Sequence, residues 1–382
     1  MLDCSSLVCQ ENRGQESRTN ACMMEKKPLT RRELLKLAAL GFGSLALRPA
    51  SRLFQLSDFP QAERLGRVCY GKWELKARPD VDSETVGVVY DDEVLPWLRE
   101  VVGNWSIYRN SKRWVETPKG YIWGAYFQPV RNLPNPTVET IPDSSSGPGM
   151  WVEVTVPYVD LIPINPPPRH PLFKDRFEHH LPLRFYYSQI LWVDQMKTGT
   201  DGLIYYRVNE KYGSRGDLYW ADGRAFRPLT RQEMEPIHPD VEDKRIEADI
   251  TWGRQMLSCY EGNSEVYFCR VSSGVAKDST PLGAFNIWRK LVSLHMEGGT
   301  AQAGWDTNGV GWTNLFTSGG VSIHSTYWHN NFGEPESNGC LNVAPDDAKW
   351  IFRWTYPPVQ YDPGELTITD FSATKVHVSR VT

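Results

Sequence analysis

Short apolar and aromatic runs, cut apart by turn formers, constrain this chain more than anything else in it. Trp151-Val152-Glu153-Val154-Thr155-Val156, Phe185-Tyr186-Tyr187 and Leu203-Ile204-Tyr205-Tyr206-Arg207-Val208 are three of them, and 27 Pro and 30 Gly punctuate the 382 residues. β-Branched and aromatic residues in brief runs bounded by turn residues predict a mainly β architecture. The length allows two or three domains, and a hydrophobic content of 40% is enough for packed cores. The formal net charge of -4 argues against a nucleic-acid partner.

The chemistry concentrates near the C-terminus. Cys340 sits in Ser337-Asn338-Gly339-Cys340-Leu341-Asn342, sixteen positions after His324 in Val321-Ser322-Ile323-His324-Ser325. A thiol is a useful nucleophile as its thiolate, and a nearby imidazole is the usual means of forming one near neutral pH. The competing reading is a small buried Cys and an unrelated His. The polar residues around Cys340 weigh against it, because apolar packing does not call for them. Gly339 lets the backbone turn tightly, and the N–H groups of Cys340, Gly339 and Asn338 are candidates for an oxyanion hole.

The stretch 323–342 resembles the active-site signature of the L,D-transpeptidases, the YkuD-type cell-wall enzymes. Thr280-Pro281-Leu282-Gly283-Ala284-Phe285 is similar to that family's Thr-Pro-x-Gly-x-Phe, and Ser272-Ser273-Gly274 to its Ser-Thr-Gly. One position departs: the family places a His before the Gly-Cys pair, and this chain has Asn338. The family's base is the upstream His, which maps to His324. The resemblance implies a β-sandwich catalytic domain over 245–382 with a short helix. It also implies a peptidoglycan stem-peptide substrate, a Cys340 nucleophile, a His324 base steadied by Ser325, and inhibition by carbapenem β-lactams. Ser337, Asn342, Tyr327, Trp328 and Trp312 are the expected substrate contacts, with core packing as the rival reading for the aromatics. Gly298 to Phe316 is glycine-rich and is expected to form a lid. Water in place of an acceptor amine would make the enzyme a carboxypeptidase, and a catalytically inactive cell-wall binding protein is the non-enzyme alternative. Sortases surround their Cys differently, and papain-like and NlpC-type peptidases place Cys before His.

Upstream, Val86-Gly87-Val88-Val89-Tyr90-Asp91-Asp92-Glu93-Val94 and Lys119-Gly120-Tyr121-Ile122-Trp123-Gly124 resemble bacterial SH3-like domains. That resemblance implies a small barrel over 66–131, binding stem peptide or glycan or serving as a spacer. Residues 132–149 have linker composition. A second small β unit is expected over 150–240, with a helical turn at Arg231-Gln232-Glu233-Met234. Residues 1–46 look like a tail and a twin-arginine export signal: Arg31-Arg32 precede an uncharged run over 37–47, too short to span a bilayer. Cleavage is expected after Ala46, with 47–65 as linker, and Met23 or Met24 would give a more ordinary start. The expected address is the periplasm or cell wall, or a membrane anchor if the signal stays uncleaved.

No cofactor or metal is expected, since the eight His make no standard zinc spacing with Cys or carboxylates. His179-His180 is a tempting pair, but neighbours on a strand point to opposite faces. Cys259 and Cys269 flank a turn-like Glu261-Gly262-Asn263-Ser264, so a disulfide and two buried free thiols are both open.

Overall fold

In a computed structural model, the described residues are 56–105, 111–213, 215–298, 305–370 and 372–381. The expected tail and signal lie outside them. Among the described residues the fold is mainly β, with two short α-helices, and apart from a small hairpin at 143–148 its strands fall into three segments, 65–130, 150–228 and 244–379. No helix among the described residues is long and apolar enough to cross a membrane.

The first segment holds a three-stranded and a five-stranded sheet, and the middle one a six-stranded sheet. Both close in the same way. In the first, the 3-10 turn Gly124–Tyr126 leads into Phe127–Val130, which pairs back onto Leu65–Val68. In the middle one, Gly223–Ala225 leads into Phe226–Pro228, which pairs back onto Met150–Val154.

The C-terminal segment is two five-stranded sheets around one core. Ile246, Leu257, Cys259, Val376 and Val378 come from one sheet, and Val292, Trp312, Ile323, Leu341 and Val343 from the other. The run 246–260 is two strands, Lys244–Asp249 and Met256–Glu261. Residues 285–294 divide between Gly283–Asn286 and Arg289–Gly298 in different sheets. The helix Pro345–Trp354 buries Ala348, Ile351, Phe352 and Trp354 against the same core. Pro at its start and Asp346 and Asp347 in its first turn suit a helix N-terminus. Its C-terminal carbonyls are held by the buried Lys290, which donates to Phe352 O, Thr355 O and Pro357 O at 2.9, 2.7 and 2.8 Å.

The segments are not beads on a string. The middle strand Met150–Val154 has apolar residues on both faces. Met150, Val152 and Val154 join the middle segment's core, while Trp151 packs in the C-terminal one with Ile190 and Trp192. The expected linker 132–149 contains a small hairpin, Asp143–Ser144 with Gly147–Pro148. Its tip is tied down where Ser145 N and Oγ donate to the Asp362 carboxylate at 2.6 Å. His179 and His180 end the helix Pro171–Glu178 rather than lying on a strand. The expected lid is mostly the strand Trp305–Leu315, central in its sheet, and residues 299–304 lie outside the described ones. Apolar and small residues along Val310–Leu315 suit a buried central strand, which accounts for the glycine content better than mobility does.

Candidate active site

Two adjacent parallel strands bring the Cys and the His together. Ser322–Ser325 pairs with Leu341–Val343 in the register Ile323 to Leu341, His324 to Asn342 and Ser325 to Val343. Side chains alternate faces along a strand. Ile323, Leu341 and Val343 therefore enter the core, all fully buried, and Ser322, His324, Cys340 and Asn342 share the other face. Cys340 Sγ lies 3.6 Å from Ser322 Oγ and 3.9 Å from Gly320 O.

His324 is buried, and its Nδ1 lies 2.8 Å from the carbonyl oxygen of Ser325. A carbonyl only accepts, so Nδ1 carries the proton and Nε2 is left as the basic nitrogen. Ser325 thus steadies the imidazole through its main chain. Its hydroxyl is on the opposite face and accepts from Gly311 N at 3.1 Å.

The electrostatics single out one thiol. Burial pushes Cys69 up to about 11 and raises Cys259 and Cys269 as well. Burial acts on Cys340 too, but the hydrogen bond and charge of His324, with help from Ser322, outweigh it and hold the thiol below its ordinary value of 9.0. All four described cysteines are free thiols. Cys259 and Cys269 lie on neighbouring strands but oppose Tyr267 and Leu257 rather than each other.

The motif residues upstream fasten the Cys340 turn. Ser272 exchanges both backbone hydrogen bonds with Asn342, each 2.9 Å, and Val275 N donates to Ser337 O at 2.9 Å. Thr280 Oγ1 donates to Gly339 O at 2.7 Å and accepts from Gly274 N at 2.8 Å. Ser337 Oγ accepts from Gly339 N at 2.9 Å and donates to Cys340 O at 2.6 Å. Gly339 has φ 147°, and a Cβ there would meet Ser279 O at 2.6 Å, so glycine is required.

A cavity of about 170 Å³ holds His324, Trp328, Ser337, Asn338, Gly339, Cys340 and Asn342. Asn338 is exposed. Trp312, an expected cleft wall, is instead 2% exposed in the core, edge-on to Phe352 at 5.4 Å. Tyr327 lines a neighbouring cavity with Arg67 and Tyr186.

His329 is a site neighbour that its sequence surroundings do not single out. Its Nδ1 accepts from Asn331 N at 3.2 Å, and Nε2 lies 3.1 Å from the Asn342 side-chain amide. Burial, then the charge of His324, pushes it down to about 3, so it stays neutral. A neutral imidazole that accepts at Nδ1 donates at Nε2. The Asn342 amide is therefore oriented with its oxygen toward His329, which also gives the buried Oδ1 a partner.

His170, His295 and Asp306 bring potential metal-ligand atoms within 4.8 Å of one another. Both imidazoles face carboxylates. His295 faces Glu210 through Nδ1 at 2.7 Å and Asp306 through Nε2 at 2.6 Å. These carboxylates outweigh burial and push it up to about 10, an imidazolium. His170 Nδ1 accepts from Phe173 N at 3.3 Å, so its Nε2 bears the proton facing Asp306 at 2.7 Å. His295 ion-pairs with Glu210 and Asp306, and that set joins the middle and C-terminal segments.

Similar proteins were found among curated sequences and solved structures. L,D-transpeptidase 2 of Mycobacterium tuberculosis is 23% identical over 175 residues, 40% of this chain and 42% of that protein. The chain thus spans about two fifths of the length of this curated relative. The catalytic domain of Enterococcus faecium L,D-transpeptidase acylated by ertapenem is 23% identical, covering 36% of this chain and 98% of that one with a TM-score of 0.28. An L,D-transpeptidase from Mycobacterium smegmatis is 16% identical, covering 46% and 90% with a TM-score of 0.29. Residues 243–378 match the model of the YkuD family, the L,D-transpeptidase catalytic domain, and the C-terminal region of this chain belongs to that family.

Proposed function

We propose that the chain is a peptidoglycan L,D-transpeptidase. The observation that carries this reading is the contrast among its cysteines: Cys340 alone of the four described is held below its ordinary value, by His324 on the adjacent strand. His324 Nε2 takes the Cys340 proton. The thiolate attacks the carbonyl carbon between the L-centre of a diamino acid and the terminal D-residue. The C–N bond breaks, the leaving amine takes the proton from His324, and a thioester remains. An amine of a second stem then forms a new C–N bond as the C–S bond breaks, and its proton returns through His324 to sulfur. The Cys340 N–H and its neighbours stabilise the oxyanion. Each such donor is worth about 3 kcal/mol of barrier, and Gly339 N must exchange the Ser337 hydroxyl for it.

The first and middle segments act as SH3-like scaffolds, a reading supported by their shared 3-10 closure. The substrate lies outside the cytoplasm, which fits export by the twin-arginine route.

The test is mass and product analysis of the protein with a disaccharide-tetrapeptide, beside Cys340→Ala. A dimer lacking one D-residue, absent in the variant, supports transpeptidation. Trimmed monomer alone indicates a carboxypeptidase. No product, and no carbapenem adduct on Cys340, moves the weight to an inactive binding protein.

A further inference from the structure

Ser322 stands beside Cys340 at the start of the parallel ladder. Ile323 pairs with Leu341, and continuing that register back by one residue puts Ser322 next to Cys340. Ser322 Oγ lies 3.6 Å from Cys340 Sγ. Ser322 is 0% exposed. A position buried that far suits an apolar side chain, and a hydroxyl there costs free energy unless it is hydrogen-bonded. Among the described residues, the sulfur is the hydrogen-bond partner of this hydroxyl. The backbone that carries it is fixed from the other side, where Leu315 pairs with Ser322 and Phe316 N donates to Val321 O at 3.1 Å.

Resting on the transpeptidase reading for the reaction it serves, we propose that Ser322 is a further catalytic residue: its hydroxyl donates to the Cys340 sulfur whenever that sulfur is anionic, before the attack on the donor and again as the thioester breaks. A hydroxyl both donates and accepts, and its hydrogen rotates to suit. Beside the thiol it has a weak partner, whichever atom donates. Beside the thiolate its donation is charge-assisted, about twice as strong as a neutral hydrogen bond. The contact therefore favours thiolate over thiol. The balance at Cys340 agrees in direction: burial raises the thiol, and His324 and then Ser322 lower it.

His324 and Ser322 divide the work at sulfur. His324 moves the proton, while Ser322 keeps its own proton throughout. As the S–C bond forms, the charge passes from sulfur to the carbonyl oxygen, and the hydroxyl loses its anionic partner. When the acceptor amine forms the C–N bond, the C–S electron pair returns to sulfur. The hydroxyl meets that charge before the proton comes back through His324. Gly320 O, 3.9 Å from the sulfur, only accepts, so it serves the protonated thiol alone. The backbone N–H groups of the Cys340 turn act on the carbonyl oxygen, and Ser322 acts on the sulfur.

The test is the pH profile of iodoacetamide alkylation, read on the Cys340 peptide by mass spectrometry, in the full chain and in Ser322→Ala. The other titratable side chains lining the cleft, His324 and Glu336, are the same in both proteins. The variant lacks one oxygen atom, and its unfolding temperature should stay near wild type. Its alkylation midpoint is expected at higher pH, with the rate at the high-pH plateau undiminished. D-residue release from a tetrapeptide is expected to fall about tenfold, the lower end for one lost hydrogen bond to a charged group. An unmoved midpoint overturns the proposal, and a lowered plateau beside it marks a hydroxyl that merely holds the strand. Release at the wild-type rate in the variant also overturns it. If the midpoint moves but the wild-type chain releases no D-residue, the transpeptidase reading fails while the hold of Ser322 on the thiolate stands.

Discussion

Arg67 donates to the carbonyl oxygen of Tyr327 at 2.7 Å, joining the first segment to a residue three positions past His324. The contact is one of a set. Asn330 N donates to Ala125 O at 2.6 Å, Asn330 Nδ2 to Gly124 O and Phe127 O, and Arg113 to Asn330 O. The loop that leaves His324 is thus built onto the 3-10 turn of the first segment.

Arg67→Met should therefore damage both stability and turnover. Arg67 is 1% exposed and also pairs with Asp92 and Gln128. Breaking a buried pair from one side costs about 3–5 kcal/mol. Thermal unfolding should show a clear drop in Tm, and product formation measured well below that Tm should still be reduced. Full turnover in a folded variant would mean that the loop holds itself.

Removing His324 should expose the opposing effect of burial on Cys340. In His324→Ala the thiol rises from its wild-type value, because burial acts without the imidazole. Thiolate forms as pH rises through the thiol's pKa, so the alkylation profile should move to higher pH. The iodoacetamide rate at pH 7 should fall with it. An unmoved profile would break the assignment of the base.

Stability should depend on pH through His295. Its folded value is raised from 6.5 to about 10 by Asp306 and Glu210, which outweigh burial. A raised value contributes stability in full below about 6.5 and loses it as pH climbs through 10. Tm should decline across that window, and His295→Gln should flatten the decline while lowering Tm at pH 6. A slope identical in both proteins would place the titration elsewhere.

Gly339→Ala should abolish product formation. The left-handed φ and the 2.6 Å approach to Ser279 O leave no space for a Cβ, and strain of this kind costs about 1–3 kcal/mol. Circular dichroism should stay near wild type while the Cys340 alkylation rate falls. Normal alkylation would show that the turn tolerates the change.

What could be read in the chain was what local pattern controls. Ser-Ile-His-Ser and Cys-Leu-Asn-Val alternate polar and apolar, and period 2 alone puts His324 and Cys340 on one face. The helix Pro345–Trp354 carries local start signals of the same kind in Pro345 and its acidic first turn. Trp312 did not, because glycines around an aromatic look alike in a lid and in a central strand, and only the packing against Phe352 decides. The roles of His329 and Arg67 were out of reach for another reason. His329 depends on Asn342 across a strand, and the Arg67 contact spans 260 positions. The middle segment's helix at Pro171–Glu178 is short, and prolines crowd the residues before it.

The parallel pairing of Ser322–Ser325 with Leu341–Val343 has a consequence for how such a protein can diverge. His324 and Cys340 are aligned by ladder register, so the crossover between them does not set their separation. Residues 326–336 connect the two strands and can change partner without altering that register, whereas Ser337 to Gly339 must keep the turn that presents Cys340. In this chain that freedom has been given to a neighbouring segment, which turns an arbitrary connector into the part of the molecule where substrate preference can drift.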